Sequence, residues 1–456
     1  MGRWLVVLGA LAWGAIAGAQ SGPSAAPDQD YHLYTERPRI FLRPQRLRLL
    51  RREKERQSLR WQQFQLLMAG KAPMPEPGFA DALYYEAGGN AAYGKQAIAW
   101  ALMPSSTDLR QLALIFDWCQ DLLTDAQAKT LVAKLTHAIY ASERSTRVAD
   151  IRSRTLAAAA LADRAGDLAA KVMEQTIHRW WEQTVVPGLK EGRPVLRRED
   201  AWALYEIMHV VRDNLNIDLR DSAPHYFKSY PIDHLISHYP AIFPAPDGEY
   251  RIPAAAKMKE PDLRAAALSR AAELSMVAFD SNSPETQVLQ GWLMDDHFLM
   301  RGPFGIPYEF MWANPYQPGL SYYHVPLIFR DELFGRLFIR SSWDEAASWL
   351  GVFDGETQLF QDGKLTVLNP QITTGPFPLT EALVYFGSGA MKFKVKLDEE
   401  EAVFILGLKP RQRYDVELDD REMYEVTADA GGIIQLAVPR KTELGVRLRA
   451  ASASGL

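Results

Sequence analysis

The hydrophobic period of this chain changes once, near residue 325. Before that point apolar residues recur three and four apart; after it they alternate. A chain with this pattern cannot fold as one uniform layer. It demands a helical region followed by a sheet region, so the fold class is α+β multidomain. The length of 456 residues and a hydrophobic content of 47% fit well-packed domains and exclude a disordered chain.

The helical half opens near Pro44, where Leu47, Leu50, Trp61, Phe64 and Leu67 fall at helical spacings between Arg, Lys and Glu. The basic run Arg46 to Arg56 reads either as a solvated helix face or as a contact for an anionic ligand. Further helices are expected over Ala80–Glu86, Ala91–Ala101, Thr107–Leu123, Asp125–Ser142, Arg152–Arg164, Asp167–Val185, Asp200–Leu215, Ile232–His238, Asp262–Phe279 and Ser283–Met300. Short joins between helices of this length predict antiparallel pairs, arranged as a toroid or a solenoid. No fixed repeat motif accompanies them.

Strands are expected over Gly335–Arg340, Ser348–Phe353 and Thr357–Phe360, with hairpin turns at Asp354-Gly355 and Asp362-Gly363. Six more follow by Leu448: Ala382–Phe386, Met391–Val395, Glu401–Leu406, Tyr414–Leu418, Gly432–Val438 and Gly445–Leu448. Their spacing predicts an antiparallel β-sandwich. The expected boundaries are a signal peptide over 1–20, a linker over 21–37, a helical (α/α) toroid domain over 38–325 and the sandwich over 326–456.

The leader expectation rests on Arg3, the apolar stretch Trp4 to Ala17 and the small residues Ala17-Gly18-Ala19. It implies an exported protein, periplasmic or extracellular, with no membrane span. The single cysteine, Cys119, reads as a buried hydrophobe in a chain whose core needs no disulfide. A net charge of -5 gives no positive field for nucleic acid.

Between the two halves lies YEFMWANPYQPGLSYYHVP, Tyr308 to Pro326, in which six of nineteen residues are aromatic. Its prolines and glycine predict an irregular segment. Tyr308, Trp312, Tyr316, Tyr322 and Tyr323 read as a platform for a flat ligand such as a sugar, or as a gasket between domains.

Three segments, taken in order, resemble the heparinase II/III-type polysaccharide lyases. They are RPRIFLRPQRLRLLR (Arg37 to Arg51), LALIFDWCQDLLTDAQ (Leu112 to Gln127) and FIRSSWDEAASWLGVFDG (Phe338 to Gly355). The resemblance implies an (α/α) toroid joined to an antiparallel sandwich, a sugar chain between them, β-elimination on an acidic polysaccharide, and no redox cofactor. The chain departs from that family after its Arg-Ser strand. The nine histidines end at His324, and ETQLFQDGKLTVLNP contains none.

Elimination on a uronate needs donors to neutralise the carboxylate, a base for the C5 proton and an acid for the leaving oxygen. The densest supply of such residues runs from Tyr205 to Arg251. Tyr205, His209 and Arg212 share a helix face, and Asn214 follows. By position and type, His209 is the expected base or neutraliser and Tyr250 the base/acid. Asn214 and Arg251 would hold the uronate, with Tyr205 and Arg212 beside them. The alternative is a packing role for His209 and a rim position for Tyr250. A non-catalytic carbohydrate-binding protein is a second reading. A glycoside hydrolase using carboxylates from Glu199, Asp200, Glu206, Asp295 and Asp296 is a third. His234 and His238 stand four apart but lack the Glu of a zinc-protease helix, so no metal is expected. Neither a G-x-S-x-G elbow nor a phosphate loop is present.

Overall fold

The computed structural model describes residues 36–246, 248–296, 300, 302–387, 389–397, 402–420, 422–436, 438 and 443–451. The expected signal peptide and nearly all of the expected linker lie outside them. The helices are α1 (Pro44–Glu55), α2 (Leu59–Ala69), α3 (Pro77–Gly88), α4 (Ala91–Leu102), α5 (Leu109–Trp118), α6 (Asp125–Ser142), α7 (Val148–Leu161) and α8 (Gly166–Glu174). A π-helical stretch, Gln175–Val185, joins α8 to α9 (Val186–Lys190), and α10 (Ala201–Leu215) and α11 (Pro224–Ile236) follow. A hairpin of β1 (His238–Ala245) and β2 (Gly248–Pro253) precedes α12 (Leu263–Phe279), α13 (Pro284–Asp295) and α14 (Gly302–Trp312).

The caps that start these helices are those the sequence offers. Asp108, Asp262 and Ser283 accept from backbone N–H groups of the first turns of α5, α12 and α13. Thr124 and Gln127 form a reciprocal capping box at α6. Burial then sorts the helices. All ten residues of α5 are buried, whereas α6 buries only Ala128, Leu131, Leu135 and Ile139. Helix α5 is therefore interior and α6 has a solvated face. The helices α3, α5, α7, α10, α12 and α14 each pack on the next, and α14 packs on α2 and α3. Helices α4, α6, α8 and α13 pack on α3, α5, α7 and α12 respectively.

Two expectations for this half are corrected. Residues 302–312, expected to be irregular at their aromatic end, are helical despite Pro307. An interior proline costs about 3 kcal/mol. Burial of Tyr308, Phe310, Met311 and Trp312, at roughly 1.5–3 kcal/mol each, outweighs it. The helix expected to reach His238 stops at Ile236, and the next residues form the β1–β2 hairpin, which the sequence reading missed. His238 pairs with Pro253 there, so the chain exchanges helical for ladder hydrogen bonds.

After α14 the described residues form thirteen strands, from β3 (Ile328–Asp331), β4 (Arg336–Arg340), β5 (Trp349–Phe353), β6 (Glu356–Gln361) and β7 (Lys364–Leu368) onward. The rest are β8 (Phe377–Leu379), β9 (Ala382–Phe386), β10 (Met391–Lys396), β11 (Ala402–Leu406), β12 (Arg413–Leu418), β13 (Glu422–Thr427), β14 (Ile434–Leu436) and β15 (Glu443–Ala450). They form three sheets, ordered β3-β4-β5-β6-β7, β14-β11-β9-β8 and β10-β15-β12-β13. Both expected hairpin turns form, with positive φ at Asp354, Gly355, Asp362 and Gly363, the type I′ signature.

Alternation stacks the sheets. In the first, Phe338, Trp349, Phe353 and Phe360 join the helical core, while Leu337, Ile339, Leu350 and Val352 meet Val384, Phe386, Phe404 and Leu406 of the second. The intervening residues Tyr385, Val403 and Ile405 meet Val416, Leu418, Val446 and Leu448 of the third. The expected sandwich thus gains a third sheet. One pair, β9 with β11, is parallel among antiparallel neighbours. The apolar runs ALVYF and AVFIL carry the physical reason, because strands buried on both faces read as continuous hydrophobic stretches.

Hydrogen bonds tie the helical half to the first sheet. Trp349 Nε1 donates to the Ile236 carbonyl at 2.9 Å, Tyr239 Oη to Gln358 Oε1 at 2.8 Å, and Arg340 Nη1 to the His238 carbonyl at 3.0 Å.

Candidate functional site: an arginine cleft

The C-terminal ends of α10, α12 and α14 meet the start of α1 around a cleft of about 570 Å³. Five arginines line it: Arg43, Arg46, Arg48, Arg52 and Arg212. Asp213 is the one carboxylate among the lining residues, and Asn314 and Gln317 add neutral polar groups. The helix ends explain how such like charges are held together. Helix C-termini carry unpaired carbonyls and partial negative charge. Arg212 Nη1 donates to the Phe279 carbonyl at the end of α12 at 2.5 Å, and Arg46 Nη1 donates to the Trp312 carbonyl at the end of α14 at 3.2 Å. Burial lowers the Arg46 guanidinium to about 10, which leaves it protonated at neutral pH.

His209 and Trp312 form the floor. Their rings stack at 4.5 Å, with Phe41 and Phe279 edge-on to the imidazole. Arg46 stands 5.5 Å from the Trp312 ring centre. The indole is buried, and its Nε1 has no hydrogen-bond partner among the described residues. His209 Nε2 lies 2.9 Å from the Ser275 carbonyl. A carbonyl only accepts, so Nε2 bears the proton and Nδ1 keeps its lone pair. Burial, then Arg212, hold the imidazole pKa well below its ordinary value, so the ring is neutral. Tyr316 stands beside the cleft. Its ring is half exposed, Arg52 and Arg56 lie over it at 5.9 and 5.5 Å, and its hydroxyl donates to Glu53 Oε1 at 2.7 Å.

His209, Arg212 and Trp312 are therefore brought together, with Tyr316 adjacent. The remaining expected site residues lie elsewhere. Tyr250 and Arg251 of β2 line a small pocket with Arg270 and Asp296. That pocket touches α12 at Ala266, Ala267 and Arg270, whereas His209 touches it further along, at Ser275. The two sites share no lining residue, so Tyr250 and Arg251 are not brought to the cleft that holds His209. Asn214 donates to the carbonyls of Arg39 (3.1 Å) and Val210 (2.9 Å), a tie within the helical core. Tyr205 is buried against Tyr230 and Phe279. Tyr308 is buried too, stacked on Phe79 at 4.8 Å with its hydroxyl donating to Glu76. Tyr322 donates to Asp295 Oδ2 at 2.9 Å, and the exposed ring of Tyr323 stacks on it at 4.4 Å. Tyr308, Tyr322 and Tyr323 line none of the described pockets. A larger cleft of about 1170 Å³ does run between the helical half and the sheets, but Phe334 is its one aromatic lining residue. The ring platform is thus not in that cleft.

The carboxylates considered for hydrolysis are held by partners. Glu206 is buried against Arg110 (2.8 and 2.5 Å) and Arg152 (3.2 Å). Asp296 pairs with Arg270 at 2.5 Å and Arg251 at 3.5 Å. Glu199 pairs with Arg197 at 3.4 Å, and Asp200 accepts from the Arg197 backbone N–H at 3.0 Å. His234 and His238 both face Glu273, at 3.8 and 3.3 Å, and no group of three metal-ligating residues forms among the described residues.

The sequence reading missed Arg43, Asn314 and Gln317. The basic run at 46–56 was the available signal for Arg46, Arg48 and Arg52. Nothing in it showed that three helix ends converge there. No helix among the described residues is long and apolar enough to cross a membrane. No protein-family model matches the chain, and no curated protein matches it either, so the site is read from its own chemistry.

Proposed function

We propose that this protein is an exported, heparinase II/III-like protein that binds an acidic, uronate-containing polysaccharide in the arginine cleft. One observation carries the reading: five guanidinium groups and a single carboxylate surround an open cleft floored by a buried tryptophan. Guanidinium groups match carboxylates in a planar, two-point geometry. The scaffold is read as an (α/α) toroid. Its support is the chain of contacts α3-α5-α7-α10-α12-α14 and back to α3, together with the all-round burial of α5.

A second reading, β-elimination in the same cleft, is favoured by the His209 tautomer. Nδ1 is the lone-pair nitrogen of a neutral imidazole, and Arg212 lines the same cleft. In this reading His209 takes the C5 proton and water protonates the leaving oxygen, since Tyr250 lies in another pocket.

The test uses polygalacturonate, alginate, heparin and a neutral glucan with the purified protein. Binding is followed by affinity electrophoresis, and elimination by absorbance at about 235 nm, where an unsaturated uronate absorbs. Retardation by the acidic polymers alone, lost in Arg48→Glu/Arg52→Glu, is the expected result. Equal retardation of that variant and the wild type would remove the cleft from the account. A rise in absorbance that disappears in His209→Ala would establish the lyase. Reducing ends without that rise would point to hydrolysis.

A further inference from the structure

The arginine cleft has a volume of about 570 Å³, the size that encloses one small molecule. A polysaccharide that enters it must leave most of its length outside. The surface beside the opening then decides where that length runs.

One surface continues the cleft. Arg48, Arg52 and Arg56 follow one another at four-residue steps, and Arg56 keeps helical backbone angles past the last turn of α1. Their stems therefore rise about 6 Å apart, on neighbouring turns of one side of the helix. All three are exposed. Arg48 and Arg52 line the cleft, and Arg56 lies beyond its lining. None of the three has an ion-pair partner among the described residues. The exposed Arg51 of the same helix does, with Glu86 at 3.7 Å.

A ring holds the outer part of this strip. The guanidinium carbons of Arg52 and Arg56 stand 5.9 and 5.5 Å from the Tyr316 ring centre, within cation–π range. The ring is half exposed, yet its hydroxyl is fixed at both ends. It donates to Glu53 Oε1 at 2.7 Å and accepts from Arg56 Nη1 at 3.3 Å. The Tyr316 backbone N–H donates to Asn314 Oδ1 at 3.2 Å, and Asn314 and Gln317 both line the cleft. Glu53 leaves no unanswered anion beside the strip, because it is buried and paired with Arg60. Glu55 is the one carboxylate of α1 left exposed. The arginines thus keep N–H donors for carboxylates, and the exposed carbon face of the ring gains by being covered.

We propose that the strip Arg48, Arg52 and Arg56, with Tyr316 against its outer two members, is an extension subsite that carries a linear anionic chain out of the cleft along α1. The proposal rests on the cleft reading. It adds a direction for the chain and a length requirement: the ligand is recognised as a polymer, not as a single sugar acid.

The experiment measures, by isothermal titration calorimetry, the affinity of the full protein for oligogalacturonates from the dimer to the octamer. Affinity is expected to rise with length and to level off once the chain reaches Arg56. Arg56→Gln should weaken octamer binding about fivefold, the size expected of one exposed ion pair, and leave the dimer unchanged. A damaged fold would weaken both. Tyr316→Leu should likewise act on the octamer alone. Arg51→Gln removes the same charge from the same helix at a paired position and should change neither. Glu55→Gln should strengthen octamer binding about twofold. Equal affinity at every length overturns the proposal and leaves the cleft in place. So does octamer binding that Arg56→Gln leaves unmoved. Equal losses from Arg56→Gln and Arg51→Gln also overturn it, since net charge alone would then set the affinity. Absence of binding at every length overturns the cleft reading and this one together.

Discussion

Two groups of arginines in this protein differ in how their charge is answered. At the junction, Arg198 and Arg270 reach the fully buried Glu273 at 3.4 Å each, and His238 closes on the same carboxylate at 3.3 Å. In the cleft, Arg43, Arg46, Arg48, Arg52 and Arg212 face one another with Asp213 as the single carboxylate in the lining. The first group holds helices together. The second keeps positive charge available at a surface. The difference teaches which arginines to read as architecture and which as recognition: the count of opposing carboxylates decides it, not burial alone.

The largest test of that contrast is Glu273→Gln. Removing the carboxylate leaves the Arg198 guanidinium without its carboxylate and Arg270 with Asp296 alone, and the expected loss is about 3–5 kcal/mol of unfolding free energy, read from urea denaturation. A loss under about 1 kcal/mol would mean that the junction charges are solvated and that the contrast is false.

The same residue sets an acid limit. Burial alone would raise its pKa, but His238, His234, Arg270 and Arg198 draw it down to about 2, against 4.5 for an ordinary glutamate. A carboxyl group with a depressed native pKa binds fewer protons folded than unfolded. The stability it contributes is present above about pH 4.5 and is lost as the pH falls toward 2. Urea midpoints measured across that window should fall steeply in the wild type and less steeply in Glu273→Gln.

Charge reversal in the cleft should behave in the opposite way. Arg48→Glu/Arg52→Glu is expected to weaken binding of polygalacturonate about tenfold to a hundredfold. Unfolding free energy should stay within about 0.5 kcal/mol, because both side chains are solvated or rim-facing. Raising the salt from about 0.05 to 0.5 M should weaken wild-type binding, since a Debye length near 10 Å at 0.1 M screens exposed charges. Junction stability should hardly respond. The smallest effect is expected for Tyr316→Phe, which deletes the hydrogen bond to Glu53 and should cost about 1 kcal/mol of stability.

The sequence exposed the broad plan well because burial obeys period. Helices such as α6 and α12 carry their own caps, and the Asp-Gly pairs at 354 and 362 carry their own turn geometry. What stayed hidden depended on contacts distant along the chain. Nothing near Tyr250 shows that the β1–β2 hairpin carries it to the other end of α12 from His209. Nothing near Tyr308 shows that Glu76, more than two hundred residues earlier, accepts a hydrogen bond from its hydroxyl. The rings of 308–312 read as a platform because aromatic content does not distinguish a packed helix from an exposed loop. The arginines of α1 were visible as a basic run, but their role depends on the three helix ends that face them.

The middle sheet has a consequence of another kind. Along β9 and β11 each successive side chain belongs to a different core, Val403 and Ile405 to one and Phe404 and Leu406 to the other. Shifting either strand by one residue would exchange both sets at once. An ordinary surface strand has one face that tolerates such a slip, and these strands have none. Single-residue insertions should therefore be tolerated far less in 382–386 and 402–406 than in the neighbouring outer strands, which makes this sheet the part of the molecule least free to drift over evolutionary time.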